Sequence, residues 1–472
     1  MGNFVKNSAL YLISTLVLKA TSFLLLPLYT NLISPDVYGQ VYIINSIITF
    51  LSLFLTLSLN SSLQRYFFNC RNEEEVKVLY STLVIFVLLI SAGVVAVLYF
   101  FNDIIASWLD IPSLYTLLAY CTIFLSLFYN MIIALLYVKQ DAVRISIASI
   151  VIGVVQIVSQ VILVINMDDK GLAMVLSLLI GGILQFAVFL LFSRPYFIMR
   201  FDSNQLRPCL KYGLSQFPSD ISNWIVSFFD RIILNKYQDS AAVGIYGMGH
   251  TLATVPQMLY HSMNKALSPK VFEDFKRYED KLVSDLTYAV SLIERVFVFI
   301  TIVLSLLVAF ANNIITLLSS QYASSALVMF LVLFACLIDI YRMLFMFPLA
   351  YNVKYVKVKS FIWVIASIAS ILLNLWLIPK YSYLGACITL ITVNTIALLF
   401  IIHYADKAMP VKYSTSKLIT VFILSVVYGC TYFLGTDWFS FALKIVGAIV
   451  YVKVILCVYP IDLKAIILSL KK

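Results

Sequence analysis

Asn31-Leu32-Ile33-Ser34-Pro35-Asp36-Val37-Tyr38-Gly39-Gln40-Val41-Tyr42 is a short polar turn set between two long apolar runs. A second turn of the same build follows: Asn235-Lys236-Tyr237-Gln238-Asp239-Ser240-Ala241-Ala242-Val243-Gly244-Ile245-Tyr246. In each, a long apolar run ends, a few polar residues turn the chain, and a glycine close to a tyrosine opens the next run. A fainter echo joins Lys170-Gly171-Leu172-Ala173 to Leu384-Gly385-Ala386. A chain that repeats a helix–turn–helix element at this distance is built from two similar halves.

The runs around these turns are membrane-sized. Of 472 residues, 62% are hydrophobic and 12% charged, against about 25% charged in ordinary soluble domains. A helix needs roughly 20 apolar residues to cross the hydrocarbon. Fourteen runs meet that length, at 8–33, 37–62, 78–101, 111–138, 143–165, 171–193, 210–235, 242–267, 285–311, 324–351, 358–379, 383–404, 415–434 and 438–458. The first has no small-residue cleavage site and reads as a retained span. The expected fold is an all-α integral membrane protein of about fourteen transmembrane helices.

Charge tests that count. Arg65, Arg71 and Lys77, then Lys139 and Arg144, then Arg194, Arg200, Arg207 and Lys211 fall on one side. Later loops add Lys270, Lys276, Lys354, Lys357, Lys407 and Lys412 to the same side, while the other keeps only Lys170, Lys236 and Lys380. A miscounted span would scramble this alternation, so both termini are expected in the cytoplasm. Six spans separate the echoing turns, which gives two six-helix lobes related by an axis along the membrane normal, with a path between them. The boundaries expected are 1–193 for the first lobe, 194–209 for a cytoplasmic linker, 210–405 for the second lobe, and 406–472 for two appended helices and a tail. The mixed-charge run 270–284 reads as a helix lying along the cytoplasmic surface.

Several chemistries are excluded. The net charge of +10 sits in short loops between spans and is membrane topology, not a nucleic-acid surface. Seven cysteines show no CxxC pairing and histidines number three, so neither a disulfide framework nor a metal site is expected. No GxxxxGK[ST] phosphate loop is present, no loop could house an ATPase, and no cofactor is implied.

What remains are polar residues inside the spans, which are costly there and normally face a cavity or a partner. The first span places Ser8, Tyr11, Thr15, Lys19 and Ser22 on one helical face, with Lys19 near mid-membrane. Two readings stand for Lys19: a cation lining a cavity, or half of a buried pair with an acid. The seventh span carries Gln216, Asp220, Asn223, Ser227 and Asp230 at the same spacing, a stripe that cannot face hydrocarbon. Substrate contact is expected from Thr15, Lys19, Ser22, Arg65, Gln216, Asn223, Ser227 and Arg231. Ion coupling is expected from Asp220, Asp230, Glu294 and Asp339, though Asp230 has an alternative as a partner of Lys19, and Asp339 has the right spacing for a salt bridge with Arg342. Lys444 and Lys453, near the ends of the last span, are expected to snorkel.

The chain resembles the oligosaccharide flippase, or polysaccharide biosynthesis transporter, family of the multidrug/oligosaccharidyl-lipid/polysaccharide exporter superfamily. The resemblance is carried by Asn7 on the polar-faced first span, Pro27-Leu28-Tyr29-Thr30 before Val37-Tyr38-Gly39, and Arg65-Tyr66-Phe67. Asp230-Arg231-Ile232-Ile233-Leu234 before Val243-Gly244-Ile245-Tyr246 extends it. It implies an alternating-access carrier in the bacterial cytoplasmic membrane. That carrier would move undecaprenyl-diphosphate-linked oligosaccharide units (O-antigen, capsule or exopolysaccharide) to the outer leaflet and be coupled to H+ or Na+. It further implies a cationic cavity, contact with membrane lipids, and partners that polymerise the glycan or set its length. Two alternatives stay open: a multidrug extrusion antiporter of the same superfamily, which would need a carboxylate-rich cavity, and a non-transporting membrane component of a glycan assembly complex.

Overall fold

The computed structural model describes residues 26–283, 285–318 and 320–459. Of the expected first span, 8–33, residues 8–25 lie outside the described residues, Thr15, Lys19 and Ser22 among them. Every regular element among the described residues is helical. The chain divides into two compact units between Gly244 and Ile245.

The first unit contains α1 (Leu26–Leu32), α2 (Pro35–Thr56), α3 (Leu59–Phe67), α4 (Glu73–Phe100) and α5 (Asn102–Leu109). It continues through α6 (Ser113–Val138), α7 (Ala142–Asn166), α8 (Lys170–Ser193) and α9 (Ser203–Tyr237) into the start of α10 (Ser240–Ala253). Local chemistry sets the starts. Ser34 caps α2 with Pro35 in the first turn, and the Asn72 carboxamide oxygen accepts from Glu75 N–H ahead of three glutamates. Asp141, Asp169 and Asp202 cap α7, α8 and α9. Each satisfies a backbone donor that the helix leaves unpaired.

The expected second span, 37–62, is not one helix. Leu57 and Ser58 both take left-handed φ, 46° and 58°, and break it into α2 and α3. A non-glycine residue in that region is strained by about 1–2 kcal/mol, so neighbours must hold the break. Gly213 of α9 brings its backbone against the Leu57 carbonyl, the Ser62 hydroxyl donates to Cys209 O at 2.8 Å, and the Ser58 hydroxyl donates to the Asp220 carboxylate at 2.6 Å.

The two echoing turns meet. A methyl group on Gly39 would strike Ser240 O and the Gly244 N–H, and one on Gly244 would strike Pro35 O and Gly39 N. The repeated glycines are thus the point where two helix starts approach backbone to backbone. On the far side of the unit, α7 leaves Ile147, Val151, Val158, Ile162 and Ile165 exposed along one stripe. Such a continuous apolar face fits lipid rather than water.

The second unit completes α10 and adds α11 (Val255–Glu279), α12 (Thr287–Leu318), α13 (Ser325–Leu344) and α14 (Met346–Tyr351). It closes with α15 (Val353–Tyr381), α16 (Tyr383–Ala408), α17 (Thr415–Gly429) and α18 (Trp438–Val458). Its core packs α12 on α13, with Phe297 edge-on to Tyr341 at 4.4 Å. The expected spans 242–267 and 324–351 are also interrupted, at Thr254 and at Phe345. The run 270–284 is not a separate surface helix: up to Glu279 it is the end of α11, with Val271 and Phe275 fully buried. Lys444 does not snorkel. It is fully buried and donates to the Asn313 side-chain oxygen of α12 at 2.7 Å.

Among the described residues eleven helices are long and apolar enough to cross a membrane. The chain is an all-α, multi-pass membrane protein. Neither α9, whose polar stripe lowers its hydropathy, nor the α10–α11 pair is among the eleven.

The glycine contact gives a first prediction. Gly39→Ala and Gly244→Ala should each destabilise the solubilised protein by about 1–3 kcal/mol, the range for overpacking, and lower its melting temperature. Gly93→Ala, where an added methyl meets nothing within 4 Å, should leave it unchanged or slightly raised.

Candidate functional site

Inside the first unit lies a cavity of about 500 Å³. Three helices build most of it from residues at helical spacing, with Ile48, Leu53 and Leu178 among the polar ones. From α2 come Asn45, Thr49, Ser52 and Thr56; from α6, Thr122, Ser126 and Asn130; from α8, Leu178, Gly182 and Gln185. Steps of three and four residues keep each set on one face. Gln156 of α7, the broken segment at Ser58, Asn60 and Ser61, and Asp220 of α9 complete the wall. Gly182 allows α6 and α8 this close, since a methyl there would press on Thr122 O at 3.2 Å. At 1.5 Å rise per residue, Asn45 is about 15 Å from the start of α2, so the cavity runs from mid-helix toward the end that carries Arg65.

The lining is almost wholly neutral. Among its described residues Asp220 is the one ionisable group, and no Lys, Arg or aromatic side chain is present. The carboxamides of Asn130, Gln156 and Gln185 line this space rather than packing into apolar core. The Asn60 side-chain oxygen is buried without a hydrogen-bond partner. In hydrocarbon such groups would each cost several kcal/mol, so this interior is polar ground.

The expected site residues separate into distinct places. Asp220 enters the cavity and accepts the Ser58 hydroxyl. Gln216 is half-buried and donates to the Tyr212 hydroxyl at 3.4 Å, whereas Asn223 and Ser227 are exposed, and Arg65 is exposed at the end of α3. Asp230 is buried and its carboxylate turns back onto the Arg231 N–H at 2.8 Å. Arg231 points the other way, sandwiched between the rings of Tyr42 at 4.0 Å and Phe228 at 4.3 Å, and donating to the Ser46 hydroxyl at 3.2 Å.

In the second unit Asp339 is buried and ion-paired to Arg342, whose Nε donates at 2.8 Å. Gln257 donates to the other carboxylate oxygen at 2.8 Å, and the Arg342 guanidinium lies 4.6 Å over the Trp363 ring. Glu294 is buried and accepts the Ser414 N–H at 2.6 Å, which fastens the start of α17 to α12. The structure therefore brings Asp220 together with residues that had not been singled out: Asn45, Thr49, Ser52, Thr56, Ser126, Asn130, Gln156 and Gln185. Their periodic spacing was the available signal, muted because each residue is neutral.

A family model described as "Polysaccharide biosynthesis protein" matches residues 4–275. No curated protein matches the chain. Among solved structures, the lipid II flippase MurJ in an inward closed conformation is similar at a TM-score of 0.74 and 14% identity, covering 95% of this chain and 99% of its own. A mutant of the Vibrio cholerae MATE transporter VcmN is similar at 0.59 and 13% identity, covering 87% and 98%. A transporter of the MOP superfamily from Pyrococcus furiosus is similar at 0.52 and 14% identity, covering 86% and 93%. At these identities the likeness establishes a MurJ/MATE-like fold.

The buried pair in the second unit is testable by itself. Arg342→Met leaves Asp339 buried and uncompensated, and should cost about 3–5 kcal/mol of stability. Asp339→Leu combined with Arg342→Met should recover most of that loss. Thermal unfolding in detergent reads both; a double variant as unstable as the single would contradict a structural pair.

Proposed function

The chain belongs to the polysaccharide biosynthesis protein family, and on that premise we propose that it is a flippase for undecaprenyl-diphosphate-linked oligosaccharide units. It works by alternating access with fourteen spans in the bacterial cytoplasmic membrane, both termini in the cytoplasm, and delivers its cargo to the outer leaflet. The polymer served is O-antigen, capsule or exopolysaccharide, and the partners are the enzymes that extend it and set its length. The observation that carries this reading is the cavity rich in hydroxyls and carboxamides, lined mainly by helices long and apolar enough to cross a membrane. Sugars lose a large solvation energy in hydrocarbon, and a polar interior offsets that loss while the polyprenyl tail stays in lipid. Lys19 supplies positive charge for the diphosphate and Thr15 and Ser22 hydroxyl donors, with Arg65 at the cytoplasmic mouth. An H+ or Na+ gradient drives the cycle, and Asp220 is the carboxylate placed in the cavity to exchange the ion.

One observation favours a multidrug antiporter, namely that same carboxylate. Against it, pockets for drug-like organic molecules are rich in aromatic side chains, and the described lining here has none, its amides and hydroxyls standing beside Ile48, Leu53 and Leu178.

Reconstitution in proteoliposomes with a fluorescent lipid-linked oligosaccharide tests the proposal. Leaflet exchange above that of empty vesicles is expected; none, or drug-stimulated proton flux in its place, would defeat it. In cells, Lys19→Ala should abolish polymer export while the protein still inserts in the membrane, and full export by that strain would remove Lys19 from the mechanism.

A further inference from the structure

The last helix of the second unit is fastened along one edge only. The Tyr451 and Ser425 hydroxyls bond at 2.8 Å, tying α18 to α17, and Lys444 ends on Asn313 of α12. Along the adjoining edge a groove of about 520 Å³ runs between α12 and α18. Leu306, Ile449, Val452 and Leu456 form its wall, and Lys453 and Cys457 join them toward the end of α18. Both helices are long and apolar enough to cross a membrane, and Ile449 and Leu456 are exposed, so the groove opens onto lipid. Such a wall gives water few polar partners and gives a hydrocarbon chain continuous contact.

Charge identifies the other half of the occupant. Lys453 stands five residues before the end of α18, about 7.5 Å inside it at 1.5 Å per residue. Arg295 lies on the stripe of α12 that runs through Phe299 and Ile302 to Leu306, at steps of three and four. It is about 16 Å from Leu306, toward the start of α12. Among the described residues neither cation has a carboxylate within ion-pair distance. An apolar channel with two uncompensated cations along it suits a molecule with a hydrocarbon chain at one end and an anion at the other. A free phosphate would gain the charge and none of the wall. A zwitterionic lipid would bring its ammonium toward the same two cations. We propose that this groove holds one acyl chain of an anionic glycerophospholipid, its phosphate on Lys453 with Arg295 as the second cation. The site belongs to the surrounding bilayer and stands whatever cargo the chain carries.

The groove carries its own reporter. Cys457 lines it, while Cys121 and Cys430 are exposed elsewhere and serve as internal references. The full chain in detergent is titrated with phosphatidylglycerol, phosphatidylcholine or undecaprenyl phosphate, and N-ethylmaleimide labelling of each cysteine is followed by peptide mass spectrometry. Phosphatidylglycerol should slow labelling of Cys457 relative to the references, at a concentration at least about fivefold below that needed with phosphatidylcholine. Lys453→Gln and Arg295→Gln should each weaken that protection about fivefold, the scale of one cation near an anionic headgroup. Lys453→Arg keeps the charge and should keep the preference. Equal protection by the two phospholipids, a preference that survives Lys453→Gln, or one that is lost in Lys453→Arg would overturn the site. So would stronger protection by undecaprenyl phosphate, which would make the groove a path for cargo. Slow labelling of Cys457 before any lipid is added would also overturn it, because a segment of the chain itself would then fill the groove.

Discussion

Hydrocarbon offers a polar group nothing to bond with, and this single constraint organises the molecule. The buried ionisable side chains within the described spans are each held by a partner where they sit. Arg231 lies between two aromatic rings, Asp339 holds Arg342 and Gln257, Glu294 takes a backbone donor from Ser414, and Lys444 ends on Asn313. These arrangements make polar groups part of the core. The cavity of the first unit departs from that rule, since it gathers carboxamides, hydroxyls and one carboxylate around space. Polarity is kept there in a solvent that penalises it.

The cavity depends on how closely helices approach. Gly182 lets α8 lie on the Thr122 carbonyl, Gly213 lets α9 lie on the Leu57 carbonyl, and Gly39 and Gly244 meet backbone to backbone. The Gly213 contact coincides with the left-handed break at Leu57 and Ser58. Through the break, Ser58, Asn60 and Ser61 turn into the cavity, where a continuous helix would carry those positions past it. The strain of the break is offset by the Ser58–Asp220 hydrogen bond, so the cavity's charged group also holds its frame.

Much of this was legible beforehand. Apolar run lengths gave an all-helical membrane chain, and the echo of Val37-Tyr38-Gly39 in Val243-Gly244-Ile245-Tyr246 singled out two glycines that the structure places in contact. The spacing of Gln216, Asp220, Asn223, Ser227 and Asp230 identified a polar face, and Asp339 with Arg342 a salt bridge. The interruption at Ser58 has no proline or glycine to announce it, whereas Pro256 in the first turn of α11 and Pro348 just after Phe345 were signals that run length alone passed over.

Sequence by itself determined the solvent, the secondary structure and the faces on which polar groups lie, because helical periodicity and hydrophobicity are local properties. Tertiary structure decided what each face meets. Asp220, Asp230 and Asp339 are alike as residues in apolar runs, yet one lines a cavity, one folds back on its own helix and one is locked to an arginine. Thr49, Thr122 and Ser126 are modest neutral residues in the sequence, and become the wall of one cavity because separate helices turn toward the same space. Spacing along a helix fixes direction relative to its axis. What stands in that direction is set by packing between segments far apart in the chain.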